Sequence, residues 1–154
     1  MILEKGKITF VKEFDFNELI KIINRNNCRT GLVGNWQADY IFDNPIGLID
    51  IHHDPYFRQM HEYLNVNFNK HNLKSSLGLV CSFQAGGKSV YHSDDVDVCI
   101  VGIYGKTLMV GENDEEKLVK KGDLLHIKKG EKHRAISLTP RIICNWYCGR
   151  GMFN

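Results

Sequence analysis

The chain has 154 residues, 43% hydrophobic and 25% charged, with a net charge of +2 when histidine is neutral. That is enough chain for one domain with its own core, and too little charge to argue for nucleic acid or an anionic membrane surface as a partner. No apolar run approaches the ~20 residues of a membrane span, and MILEKGKITF carries no long apolar stretch behind its charges, so neither a spanning helix nor a signal peptide is expected and a cytoplasmic location is.

Residues 1–12 alternate loosely and predict an edge strand with Ile8 and Phe10 on one face. Residues 14–26 predict a helix, with Asp15 or Asn17 as N-cap and Leu19, Ile20, Ile22 and Ile23 as its apolar stripe. Residues 27–53 mix Gly, Asn, Pro and isolated aromatics and read as short strands and loops. Asp54-Pro55 is a helix-start signal. That helix should run to about Asn67, with Phe57, Met60, Leu64 and Phe68 on one stripe and His61 beside it as a surface or boundary residue.

From Ser76 the period changes to two, with Leu77, Leu79, Cys81 and Phe83 alternating with smaller residues. Ala85-Gly86-Gly87 is a turn, and residues 89–103 read as nearly continuous β sequence. Tyr104-Gly105-Lys106 is a hairpin turn into Thr107–Val110, and residues 111–116 form an acidic loop. Residues 118–121, 124–127, 133–138 and 141–148 complete a series of short strands, which argues for a sandwich or barrel as a single domain over residues 1–154, its core barrel at 76–148. The five cysteines (Cys28, Cys81, Cys99, Cys144 and Cys148) are odd in number and contain no CxxC. Three fall inside apolar runs, so reduced core thiols are expected, with a Cys144/Cys148 metal or disulfide pair as the lesser alternative.

Two stretches carry chemistry: Gly86–Asp97, GGKSVYHSDDVD, and Gly122–His133, GDLLHIKKGEKH. In a strand, side chains at i and i+2 share a face, so His92 and Asp94 should project together. His133, arriving from a later strand, then completes two imidazoles and one carboxylate. That ligand set with open metal positions is the signature of non-haem Fe(II) sites. Neighbouring residues have plainer readings. His126 is an interior or supporting residue, His52-His53 are solvated at a helix entry, and Asp95 faces away from Asp94. Trp36, Tyr40 and Trp146 are mostly core packing. Lys117, Lys120, Lys121, Lys128, Lys129 and Lys132 are solvated turn residues that could also attract an anion.

These stretches resemble the two motifs of a cupin. Five residues separate Gly86 from His92, with Asp94 in place of the usual second histidine; Gly122, Gly130 and His133 match the second motif, with Lys128 where proline is usual. The HxD form and YHSDDVDVCIVGIYGK are similar to the JmjC-like cupins, in particular the JmjC-type ribosomal-protein hydroxylases, and the resemblance runs from Asp54 to Tyr147. It implies a mainly β fold, a double-stranded β-helix (jelly-roll barrel) with one or two N-terminal helices. It also implies Fe(II) held by His92, Asp94 and His133, with 2-oxoglutarate as co-substrate. Ser89 matches a hydroxyl that contacts the oxoacid in some relatives, and Asn145 matches an amide near the metal.

The departure is at Thr107, where these hydroxylases commonly carry a Lys or Arg for the distal carboxylate of 2-oxoglutarate. A buried carboxylate without a cation is costly. Either another base such as Lys88, Lys128 or Arg134 takes that role, with Ser89, Thr107 and Asn145 adding neutral hydrogen bonds, or 2-oxoglutarate is not used. The expectation is an Fe(II)-dependent oxygenase that hydroxylates a small molecule or peptide side chain. A metal cupin without an oxoacid (a dioxygenase or isomerase) and a non-enzymatic ligand-binding cupin are the alternatives. No nucleic-acid or membrane partner is expected, and pairing into a homodimer is expected by analogy with other cupins.

Overall fold

The computed structural model describes residues 1–10, 12–26, 46–48, 50–86 and 88–149. Trp36, Tyr40, Cys28 and Gly87, and most of the loop-rich stretch expected at 27–53, lie outside these. The first part of the chain contributes β1 (Ile2–Glu4), α1 (Phe16–Arg25), β2 (Ile46–Leu48), a 3-10 turn at Ile51–His53 and α2 (Arg58–Phe68). The second part is mostly strand, with a 3-10 turn at Glu112–Asp114: β3 (Ser75–Ser82), β4 (Val98–Tyr104), β5 (Thr107–Gly111), β6 (Glu116–Val119), β7 (Leu124–Ile127), β8 (His133–Ser137) and β9 (Arg141–Cys148). They form a large antiparallel sheet in the order β1-β7-β4-β9-β3-β2 and a small one in the order β6-β5-β8. The protein is mainly β, a cupin-type jelly roll with its helices to the N-terminal side of the sequence.

Two apolar layers follow from strand alternation. One face of the large sheet turns Leu77, Leu79, Cys81, Cys99, Val101, Cys144 and Trp146 toward the helices, where Leu19, Ile22, Phe57, Met60 and Leu64 meet them. The opposite face turns Val98, Ile100, Leu125, Ile127 and Ile143 toward Met109 and Val119 of the small sheet. This second layer is the interior between the sheets. Burial pushes the thiols of Cys99 and Cys144 well above their ordinary range, so both stay protonated on the helix side.

The helices differ from the sequence expectation in ways that have physical causes. On α1, Leu19 and Ile22 are fully buried but Ile20 is exposed, because one residue along a helix turns the side chain by about 100°. Asp15 is the N-cap, its carboxylate accepting from the Glu18 N–H at 2.8 Å. Asp54-Pro55 does not open α2. Asp54 caps a turn instead, accepting from the Tyr56 N–H, and the helix starts at Arg58. The strand expected across 1–12 shrinks to β1. The strand expected at 89–103 begins only at Val98; residues 88–97 are irregular apart from isolated bridges.

Helix α2 is bolted to the sheet by a polar seam. His61 Nε2 lies 2.9 Å from Ser75 Oγ, which donates to Asn65 Oδ1 at 2.6 Å, and Trp146 Nε1 donates to the same oxygen at 3.2 Å. His61 is thus a satisfied boundary residue and Trp146 packs in the core. His52 departs from its solvated reading: it is half-buried, its ring 3.8 Å from that of His53 and 5.0 Å from that of His61. Burial lowers its proton affinity.

A buried carboxylate joins the helices. Asp54 accepts from Arg25 Nε and Nη2, both at 2.9 Å, and from Asn26 Nδ2 at 2.7 Å. Burial works to raise its pKa, but these bonds and the Tyr56 N–H outweigh it and hold the carboxyl below its ordinary range. Because the folded-state value is depressed, this stabilisation is present above the ordinary carboxylate pKa and is lost as pH falls through the lowered one. Arg25 is itself 40% exposed and can turn to water, so Asp54→Asn should cost about 1–3 kcal/mol and not the larger penalty of a fully buried pair. Thermal melts should show the variant several degrees less stable at neutral pH and converging on wild type in strong acid. Equal melting at neutral pH would exclude this role for Asp54.

Candidate metal centre

The site is built on an irregular edge. Gly86 and residues 88–92 lie alongside β8 through three backbone bonds: Gly86 N–H to Ser137 O (2.7 Å), Ser89 N–H to Ala135 O (2.9 Å) and His92 N–H to His133 O (3.0 Å). Three residues of the segment advance for every two of β8, which is bulged pairing. The Ser89 hydroxyl fills one gap this leaves, accepting from the Ala135 N–H at 2.9 Å. Strict alternation therefore fails here. His92 and Asp94 do not lie on one regular strand, contrary to the i/i+2 reading, and loop geometry brings them together instead.

His92 and His133 exchange two backbone bonds, the His133 N–H donating to His92 O at 2.8 Å. Residues paired this way stand directly opposite with side chains on one face, and the ring centroids are 4.4 Å apart. Each Nδ1 lies 2.9 Å from a backbone carbonyl, Val90 O for His92 and Glu131 O for His133. A carbonyl has no proton to give, so Nδ1 carries it and Nε2 keeps the lone pair. Backbone acceptors of this kind fix the tautomer and ring orientation of metal-binding histidines.

Asp94 is set by the turn after β7. Gly130, at φ +82°, donates its N–H to Asp94 O at 2.9 Å. That turn is gripped by Asp97, which accepts from the Lys129 N–H at 2.9 Å and contacts His126 Nε2 at 3.1 Å. Burial would raise the Asp97 carboxyl, but these bonds bring it below its ordinary range. His126 acts through this grip from the helix side of β7 and does not face the site. Asp94 Oδ2 comes within 3.5 Å of His133 Nε2, and one ligand atom from each of His92, Asp94 and His133 falls within 4.8 Å of the others. Two neutral imidazole nitrogens and a carboxylate, gathered on one side, suit Fe(II) and leave positions open. His133 is buried and His92 exposed, so the site opens on the His92 side.

Alternation places the other interior residues. From β9, Arg141, Ile143, Asn145 and Tyr147 share the inward face. From β5 and β8, Thr107 pairs with Ser137, Met109 with Ala135, and Gly111 with His133. Asn145 Nδ2 donates to the Tyr147 hydroxyl at 3.0 Å, while its Oδ1 is buried with no partner among the described residues. Burial raises the Tyr147 hydroxyl, with the Asp94 charge adding to the effect. The sequence-predicted cations lie elsewhere. Lys88 and Lys128 are exposed, and Arg134, on the outer face of β8, lies over the Tyr91 ring at 4.7 Å.

The cation beside Thr107 is Arg141, which the sequence reading passed over. It is 3% exposed, with Nη1 3.1 Å from Thr107 Oγ1 and Nε 2.7 Å from Ser137 Oγ. Burial lowers its pKa to about 10. The signal was its position, four residues before Asn145 in a strand of period two.

No family model matches the chain, and no curated protein matches it. Solved structures do. YcfD, a ribosomal oxygenase from Escherichia coli, in complex with cobalt and 2-oxoglutarate, aligns at 16% identity with a TM-score of 0.69 over 98% of this chain. The complex with cobalt and succinic acid aligns equally fully, with a TM-score of 0.68. The chain spans about half of that protein, 48% of its length. KdgF from Halomonas sp. aligns at 13% identity with a TM-score of 0.52, over 76% of this chain and 84% of that one. The fold is that of a JmjC-like cupin.

The triad generates a direct expectation. The purified protein should bind about one Fe(II), Mn(II) or Ni(II) per chain, and His92→Ala and His133→Ala should each reduce metal content to background, because two remaining ligands hold such ions poorly. Elemental analysis checks this. Equal metal in wild type and both variants would remove the site.

Proposed function

We propose that the protein is a non-haem Fe(II)-dependent oxygenase that uses 2-oxoglutarate and O2 to hydroxylate a small molecule or a peptide side chain. The observation that carries this reading is the arrangement of His92, Asp94 and His133, with both Nδ1 protons engaged by backbone carbonyls and the ligand atoms converging. Fe(II) held by these three residues would supply open coordination positions for an oxoacid and O2, one oxygen atom going into the substrate C–H bond and the other into the succinate that forms as 2-oxoglutarate loses CO2.

The chain's own residues prepare the site. The carbonyls of Val90 and Glu131 keep the rings from rotating. The Asp97-gripped turn holds Asp94 through Gly130, and Tyr147 and Asn145 present polar atoms from the β9 side. The exposed Val90 and Tyr91 border the open side and offer apolar surface to a substrate. The likeness to a ribosomal oxygenase solved with 2-oxoglutarate supports the oxoacid. Among the described residues no helix is long and apolar enough to cross a membrane, and a cytoplasmic setting with reduced thiols fits the same proposal.

A second reading is a metal cupin whose substrate itself chelates the metal, favoured by Thr107 where a cation is usual. The Fe(II) form separates the two. It should consume O2 and release succinate from 2-oxoglutarate even without a prime substrate, and His133→Ala should stop both. Metal-loaded protein with no succinate formation would decide for the second reading.

A further inference from the structure

A cavity of about 390 Å³ lies at one end of the large sheet, and none of the metal ligands lines it. Its floor is apolar. Phe68 closes α2, Leu73 precedes β3, Val96 precedes β4 and Cys148 ends β9. Leu73 is 48% exposed, so this apolar surface is offered to solvent and not packed away. Gly149, at φ +117°, passes the floor without a side chain; a β-carbon there would stand 3.3 Å from Val96 Cγ1 and 3.7 Å from Leu73 Cδ1. The charges around the floor are mostly positive. Lys70, His71 and Lys129 line the same cavity, and neither ammonium group has a carboxylate partner among the described residues. The one carboxylate in the wall is Asp97, and both its oxygens are already bonded. Oδ1 accepts from the Lys129 N–H at 2.9 Å and Oδ2 meets His126 Nε2 at 3.1 Å. Two ammonium groups against one engaged carboxylate leave the cavity net positive.

We infer that this cavity is a binding site for a small organic acid, its apolar body on the floor of Phe68, Leu73, Val96 and Cys148 and its carboxylate held by Lys70 and Lys129. The volume sits at the low end of the range for small-molecule sites, and an apolar lining with a few charged groups is their usual make-up. A space of this size takes one small molecule and not the face of a folded partner. The sign of the charge selects among small molecules: an acid meets the two ammonium groups, and a cation is repelled by them. The site shares a wall with the metal centre. The turn whose Lys129 N–H bonds Asp97 on the cavity side also donates its Gly130 N–H to Asp94 O at 2.9 Å. Val96 is two residues from Asp94, at most about 7 Å along an extended chain. A bound acid would therefore rest against the same turn that holds a metal ligand, while its own binding needs no metal.

Octanoate, octylammonium and octanol share one apolar body and differ in charge, so they probe the site. Titrated by calorimetry against the Zn(II)-loaded protein at low salt, octanoate should bind about tenfold more tightly than octylammonium, and the gap should narrow as salt screens the lysines. Amide shifts on adding octanoate should map to residues 68–73, 96, 97, 129 and 148. Lys70→Met combined with Lys129→Met keeps the apolar stems. It should weaken octanoate by about tenfold and leave octanol unchanged. Leu73→Glu, at an exposed position, should remove the preference for the acid by adding a second carboxylate to the wall. His133→Ala should bind octanoate as wild type does, because the carboxylate is not on the metal. Equal affinity for the three probes, amide shifts centred elsewhere, or no octanoate binding at millimolar concentration would overturn the inference. Loss of octanoate binding in His133→Ala would overturn it as well, by placing the carboxylate on the metal. None of these outcomes touches the triad or the oxygenase reading, which stand on metal content and succinate release.

Discussion

Everything at the site depends on one backbone pairing, the reciprocal hydrogen bonds between His92 and His133. Two histidines 41 positions apart in sequence would otherwise have no reason to meet. Pairing them as opposite residues of an antiparallel bridge forces their side chains onto one face at contact distance, and the neighbouring carbonyls then orient each ring. The bulged pairing of Gly86, Ser89 and His92 with β8 determines where that bridge falls. A residue inserted between Gly86 and His92 would move the imidazole off its partner, whereas one inserted in the exposed turn near Lys132 would act on His133 instead.

The two-layer construction separates tasks. Helix-side packing, with Trp146, Leu64 and the buried faces of α1 and α2, supplies the bulk of the apolar burial. At about 1.5–3 kcal/mol for each fully buried large side chain, that layer can carry an interior in which, among the described residues, a guanidinium meets only hydroxyls and Ser82 Oγ and Asn145 Oδ1 have no partner. Stability lost inside is offset outside. Polar defects of this kind, gathered between a metal triad and a cation, fit a chamber shaped for a ligand better than one packed for its own sake.

Much of this was readable in the residues. The switch from helical to alternating period near Ser76, the turn glycines and the alternation of β9 all foretold the jelly roll, whereas His92, Asp94 and His133 come together through a bulged loop and not through the i/i+2 spacing that singled out the first two. The failures are specific. Continuous β sequence at 89–97 reads like a strand, but three-for-two pairing breaks the period, so side-chain direction could not be inferred from spacing. Asp54-Pro55 has the composition of a helix start, yet its carboxylate is drawn to Arg25 and Asn26, partners remote in sequence. Arg141 was missed because the cation was sought among bases near the two motifs, whereas the fold brings it from the opposite sheet.

On the oxygenase reading proposed above, the position of the thiols has a consequence. Oxidants react with thiolate far faster than with thiol, and a site that turns over oxygen without its substrate exposes its own side chains to damage. Cys99 and Cys144 lie on the helix side of the large sheet, fully buried and held in the protonated form. A β-sheet thus stands between the site and these two buried thiols, and wear from idle turnover would fall first on the ligands and aromatic side chains at the open mouth.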